Sequence, residues 1–139
     1  MIRKVRKTSA LWNVLIAEDD SKAQETLLKT LRKVGHCVSV GNGSDALLAY
    51  QKAIKKKLPF DFILLDVTMP VLGGFDVLKA IRSEEEKNNV TAAKPARIIM
   101  ITAYKDSLME IYNMGWDEYI TKPIDPKMLL SKMKQLTKK

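Results

Sequence analysis

Five short apolar runs alternate in this chain with longer stretches whose apolar residues recur at helical spacing, and few folds accommodate such an alternation. The runs are Val14-Leu15-Ile16-Ala17, Cys37-Val38-Ser39-Val40, a stretch from Phe62 to Leu65, one over 97–101 and one over about 118–121. Strands that are apolar on consecutive residues are covered on both faces, which is the habit of parallel sheets. Parallel neighbours in turn need crossovers of about a dozen residues. The intervening stretches supply them: Ala23, Leu27, Leu31 and Val34; then Ala46, Leu47, Tyr50, Ala53 and Ile54; then Phe75, Leu78 and Ile81; then Leu108, Ile111, Tyr112 and Met114; and last Met128, Leu129, Met133 and Leu136. The pattern predicts one α/β domain with a parallel sheet and helices on both of its faces.

Local signals punctuate this plan. Ser21 with Gln24 reads as a capping box, Gly35 as the C-cap of the first helix, and Ser44 as the cap of the second. Leu58-Pro59 ends the second helix, and Gly73-Gly74 opens the third. The end of the third helix is ill-defined, because residues 84–89 are strongly polar and Ala92-Ala93-Lys94-Pro95 reads as a loop. His36 falls in a loop and has no partner for metal or phosphoryl chemistry, and the methionines at 100, 109, 114, 128 and 133 read as core fillers.

Composition removes several classes of function. No apolar run approaches the roughly 18 residues of a membrane span. The basic arm, 1–12, begins like a signal peptide, but its apolar continuation is broken at Asn13 and stops at Glu18-Asp19-Asp20, so a cytoplasmic protein is expected. Cys37 is the only cysteine, which excludes an internal disulfide and reads as a small buried hydrophobe. The net charge of +8 comes from dispersed clusters at Arg3-Lys4, Arg6-Lys7, Lys55-Lys56-Lys57 and Lys138-Lys139. With no aromatics interleaved, these describe solvated faces rather than a nucleic-acid groove, and they favour an acidic protein partner.

The functional signal lies at the strand ends. The first run enters Glu18-Asp19-Asp20, the third ends at Asp66, the fourth at Thr102 and the fifth at Lys122-Pro123. In an open parallel sheet, ligands bind at the carboxyl ends of the strands, so the topology gathers Glu18, Asp19, Asp66, Thr102 and Lys122 at one place. Three carboxylates together repel one another unless a cation sits among them, and oxygen-only ligation suits magnesium. A carboxylate, a hard divalent cation, an ammonium and a hydroxyl together make a receptor for a phosphoryl group. Asp20 reads instead as a complement to the helix dipole.

These residues and their spacing resemble the receiver domain of two-component response regulators, from about Asn13 to the last helix. The motifs are Glu18-Asp19, Asp66 with Met69-Pro70 and Gly73-Gly74, Thr102-Ala103, and Lys122-Pro123. The resemblance implies a flavodoxin-like, doubly wound sheet of order 2-1-3-4-5 over residues 13–139. It implies that Asp66 accepts a phosphoryl group from a histidine kinase or histidine phosphotransfer protein. Magnesium would be held by Glu18 (through water), Asp19, Asp66 and the backbone carbonyl of Thr68. Thr102 and Lys122 would bind the phosphoryl oxygens, and the Lys122–Pro123 bond would be cis.

Tyr119 matches the family's switch aromatic. It would turn inward on phosphorylation and remodel a target-binding face built from the fourth helix, fifth strand and fifth helix of the sequence. Thr68 and Tyr104 occupy the positions that tune dephosphorylation, and bulky Tyr104 implies a long-lived phosphoaspartate. Such a domain promotes only its own phosphorylation and hydrolysis. The competing expectation is a magnesium-dependent phosphotransferase or phosphatase working through an aspartyl-phosphate. That class wants a second acid where this chain has Thr68, and a cap over its substrate. Nothing after the last helix resembles a helix-turn-helix, which leaves open a stand-alone regulator or a piece of a larger one.

Overall fold

In a computed structural model, residues 11–88, 95–103 and 115–138 are described. They form β1 (Trp12–Ala17), α1 (Ser21–Leu31), β2 (Gly35–Val40), α2 (Gly43–Lys55), β3 (Phe62–Asp66), α3 (Gly74–Lys87), β4 (Arg97–Thr102), β5 (Glu118–Thr121) and α4 (Pro126–Thr137). All strand pairs are parallel, and the sheet order is β2-β1-β3-β4-β5, as expected. The helix expected around Leu108 to Met114 and the residue Tyr104 lie outside the described residues. The last helix of the sequence is therefore α4.

The two-residue period of each strand deals its side chains alternately to two cores. Val14, Ile16, Phe62, Leu64, Ile99, Ile101 and Ile120 meet Leu27 and Leu31 of α1 and Leu129 and Met133 of α4. Leu15, Ala17, Ile63, Leu65, Ile98 and Met100 meet Ala46 and Tyr50 of α2 and Val77, Leu78 and Ile81 of α3. The three central strands are thus buried on both sides, and their polar residues gather at the strand ends.

Several local expectations are corrected. Asp20, rather than Ser21, caps α1: its Oδ2 accepts from the Ala23 N–H at 2.9 Å, and Ser21 is the first helical residue. Gln24 closes no capping box. Its side-chain amide donates to the carbonyls of Glu18 (3.0 Å) and Val40 (3.1 Å), tying together the ends of β1 and β2. Asn42, rather than Ser44, caps α2 by accepting from the Asp45 N–H at 2.8 Å. Both caps lie upstream of the expected ones because a cap must be extended while its side chain reaches the third helical N–H.

Gly35 is no C-cap either. The first helix closes at Arg32, and Gly35 opens β2 opposite Trp12, where a Cβ would stand 2.5 Å from the Trp12 carbonyl oxygen. The second strand therefore includes His36, which was expected in a loop. Among the methionines, Met100 and Met133 are buried as expected, but Met128 is half exposed on the first turn of α4. Met109 and Met114 lie outside the described residues.

The end of α3 is well formed to Lys87 and carries a buried acid that its polar sequence conceals. Glu85 accepts from Arg82 Nη1 at 2.6 Å and from the Ala96 N–H at 2.8 Å. The same arginine donates through Nε to the Gly115 carbonyl at 2.9 Å and through Nη2 to Asp117 Oδ2 at 3.0 Å. Asp117 in turn accepts from the Ile98 N–H at 2.7 Å. This network joins α3, β4 and the approach to β5 at the amino-terminal end of the sheet.

Candidate functional site

At the opposite end, the strand termini converge as the sequence implied. Glu18 follows β1 and is fully buried, while Asp66 ends β3 and Thr102 ends β4, both nearly inaccessible. Asp19 is exposed at the mouth. One carboxylate oxygen from each of Glu18, Asp19 and Asp66 lies within 4.8 Å of the others. Lys122, just beyond β5, reaches across the group: its Nζ donates to Glu18 Oε2 at 3.0 Å and to Asp66 Oδ2 at 3.2 Å.

Backbone groups complete the frame. The Thr68 N–H donates to Asp66 Oδ1 at 3.1 Å, and the Asp20 N–H donates to Glu18 Oε2 at 3.0 Å. The Val67 N–H donates to the Ile101 carbonyl at 2.8 Å, and Lys122 N–H to the Thr102 carbonyl at 2.9 Å, so the loops after β3 and β5 are laced to β4. Gly74 lets α3 start hard against the end of β3, where a Cβ would lie 2.3 Å from the Asp66 carbonyl oxygen. The Lys122–Pro123 bond is cis, as expected.

The electrostatics describe an acid cluster short of positive charge. Burial, and next the Glu18 carboxylate, push Asp66 above its usual value, against the pull of the Thr68 N–H and Lys122. Asp19 is also raised, by desolvation and then by its neighbour Asp66. Burial by itself would lower Lys122, yet the hydrogen bond to Glu18 and the charges of Asp66 and Glu18 outweigh it and raise the ammonium. Glu18 Oε1 is buried without a hydrogen-bond partner. A cluster with too much negative charge, an unpartnered carboxylate oxygen and only oxygen donors fits a hard divalent cation.

The remaining expected residues take separate places. Thr68 is exposed on the loop after β3. Tyr119 lies on β5, edge-on to Trp116 with ring centroids 5.9 Å apart, and Lys132 Nζ sits 5.0 Å from its ring centre. The same ammonium donates to the Tyr119 carbonyl at 2.8 Å and to Glu118 at 3.2 Å. Trp116 and Lys132 were not singled out in the sequence, where an isolated tryptophan or lysine carries no signal of such contacts.

The model of the response regulator receiver domain family matches residues 14–134. This chain belongs to that family. Among curated relatives, the hybrid signal transduction histidine kinase I of Dictyostelium discoideum is 34% identical over 117 residues, covering 84% of this chain and 7% of that protein. The DNA-binding response regulator MtrA of Mycobacterium leprae is 31% identical over 124 residues, covering 87% of this chain and 49% of that protein. The chain thus spans less than half the length of either relative.

Solved receiver structures agree with the fold. The chemotaxis response regulator CheY4 of Vibrio cholerae superposes with a TM-score of 0.75 at 26% identity, over 90% of this chain and 98% of that one. The co-crystal of the Saccharomyces cerevisiae phosphotransfer protein Ypd1 with the receiver domain of Ssk1 gives 0.76 at 29%, over 88% and 86%. The chain is a receiver domain of two-component systems, and its acidic cluster of Glu18, Asp19 and Asp66 lies at the carboxyl ends of its strands. No helix among the described residues is long and apolar enough to cross a membrane.

Proposed function

We propose that Asp66 is the phosphoacceptor of this receiver, and that it takes its phosphoryl group from a phosphohistidine on a histidine kinase or phosphotransfer protein. The observation that carries the reading is the bridge of Lys122 between Glu18 and Asp66, which unites the ends of β1, β3 and β5 around one buried carboxylate. In the transfer, an Asp66 carboxylate oxygen forms a bond to phosphorus as the bond from phosphorus to the imidazole nitrogen breaks. The product is an acyl phosphate, and the electron pair of the broken bond leaves with the imidazole. Lys122 and the Thr102 hydroxyl stabilise the phosphoryl oxygens, and the Thr68 N–H holds the carboxylate in place.

Glu18, Asp19, Asp66 and the Thr68 carbonyl would hold magnesium. A bound magnesium ion would supply the positive charge that the cluster lacks. Tyr119 is the switch residue in this reading, supported by its place beside β4 and its contacts with Trp116 and Lys132. The face presented to a downstream protein is built from the fourth helix expected in the sequence together with β5 and α4. The basic arm precedes the receiver in the sequence, with Trp12 already the first residue of β1, and the whole acts in the cytoplasm. Thr68 and Tyr104 tune phosphate loss, with Tyr104→Ala expected to shorten the lifetime of the phosphoprotein.

Incubation with acetyl phosphate and magnesium tests the site. Intact-mass measurement should show a gain of one phosphoryl group that Asp66→Asn abolishes. No gain under saturating donor, or an equal gain in the variant, overturns the assignment. Sustained turnover of a small phosphomonoester would instead support the free-standing phosphatase reading.

A further inference from the structure

Among the described residues β2 is an edge strand, with β1 on one side and no strand on the other. Its outer backbone groups are therefore available to a further strand. Beside that edge, at the end of the sheet away from Asp66, lies a groove of about 290 Å3 between β2 and the second half of α2. Its apolar lining includes Val38, Ala53, Leu58 and Phe60, and its rim carries Lys52 and Lys56. Val38 and Leu58 are 44% and 63% exposed, and they are two of the few large apolar side chains the described fold leaves open.

The rim is built with some strain. The second helix ends in a double hydrogen-bonded cap, in which the Lys57 N–H donates to the Ile54 carbonyl at 3.1 Å and the Leu58 N–H to the Ala53 carbonyl at 2.9 Å. Glycine is favoured at the left-handed position of such a cap, yet Lys57 holds it with φ of 60°. Leu58 is thereby fixed beside the groove.

None of Lys52, Lys55, Lys56 and Lys57 forms an ion pair among the described residues. The nearby acids are otherwise engaged. Asp61 accepts from the Asn13 N–H at 2.8 Å, and Glu84 accepts from Gln51 at 2.8 Å. Lysines in a last helical turn complement the dipole, but that role needs no apolar groove beside them.

We propose that the free edge of β2 and this groove bind an extended acidic segment of a partner protein. The segment adds to β2 as a strand, seats an apolar side chain against Val38, Leu58 and Phe60, and sets carboxylates against Lys52 and Lys56. Backbone pairing supplies affinity, and the alternation of acidic and apolar side chains supplies selectivity. Charge disfavours two other occupants. A second copy of the chain carries a net charge of +8, and the arm with Arg3, Lys4, Arg6 and Lys7 has the same sign as the rim.

The test uses the full chain and a capped octapeptide of alternating glutamate and valine, with matched lysine–valine and glutamate–serine peptides. Amide shifts in heteronuclear NMR should move with the glutamate–valine peptide at His36, Val38, Lys56 and Leu58, and only weakly with the other two. The charge-reversed pair Lys52→Glu with Lys56→Glu should weaken binding at least tenfold. Leu58→Glu, at a site exposed enough to preserve folding, should weaken it about fivefold. Asp66→Asn should leave binding unchanged, which separates this site from phosphoryl chemistry. The proposal is overturned by an absence of shifts at millimolar peptide, by equal binding of the lysine–valine peptide, or by shifts confined to α1 and α4.

Discussion

At the amino-terminal end of the sheet, buried Glu85 has both oxygens engaged, by Arg82 and by the Ala96 N–H, and Asp117 shares the same arginine. At the carboxyl end, buried Glu18 has one oxygen orphaned, and a single ammonium serves both Glu18 and Asp66. Both clusters bury carboxylates at strand ends, but only one is satisfied. A closed network fixes the fold because every buried polar group has its partner. An incomplete one stores repulsion that a bound cation or an added proton relieves. The difference separates a site built for stability from a site built for binding.

The sharpest way to break this comparison is to remove one acid from each end. Glu85→Ala should lower the unfolding free energy by about 3 kcal/mol, since it strips Arg82 and orphans the Ala96 N–H. Glu18→Gln, measured in the same urea titration without metal, should change it by less than about 1 kcal/mol. Equal losses at the two ends would erase the distinction.

Magnesium should act at one end alone. At ten times its Kd it should stabilise the wild type by about 1.4 kcal/mol and raise Tm, with no such gain in Asp66→Asn. Without metal, Asp66→Asn should itself be more stable than wild type by about 1 kcal/mol, because it removes a buried like charge. Destabilisation of the metal-free variant would mean that Lys122 already balances the cluster.

The pH dependence follows from the same charges. Asp66 and Asp19 both sit above 3.8 in the folded protein, so folding takes up protons at these groups. Their contribution to metal-free stability is complete below 3.8 and is lost as pH rises through the higher folded values. Urea midpoints measured upward from pH 4 should fall with a slope that Asp66→Asn reduces. The smallest effect belongs to a backbone position: Lys57→Gly should add about 0.5–1 kcal/mol by relieving its positive φ. A loss there would show that the cap depends on the lysine side chain.

Much of this was legible because burial and chemistry occupy different positions along each strand. Continuous apolar runs announced the strands, and the polar residues at the ends of the first, third, fourth and fifth announced the candidate site. The helix ends were less legible, because Asp20, Ser21 and Gln24 offer competing caps and only backbone geometry chooses among them. Glu85 was hidden in a run of acids that reads as solvent-facing. A signal was nevertheless present, since Leu78, Ile81 and Glu85 continue one helical stripe into the core. Likewise, nothing local distinguishes Met128, which faces outward, from Leu129, which is buried.

The parallel register has a consequence for how such a domain can vary. Asp66 stands opposite Ile101, and Thr102 opposite Thr121, so the candidate site groups are levelled against one another across the sheet. One residue inserted near the end of β3 would advance the carboxylate by about 3.3 Å and turn it to the other face. The sheet thus behaves as a ruler read from one edge. Strand length is the quantity held constant, while helices and far-edge turns are free to lengthen or shrink without disturbing the reading.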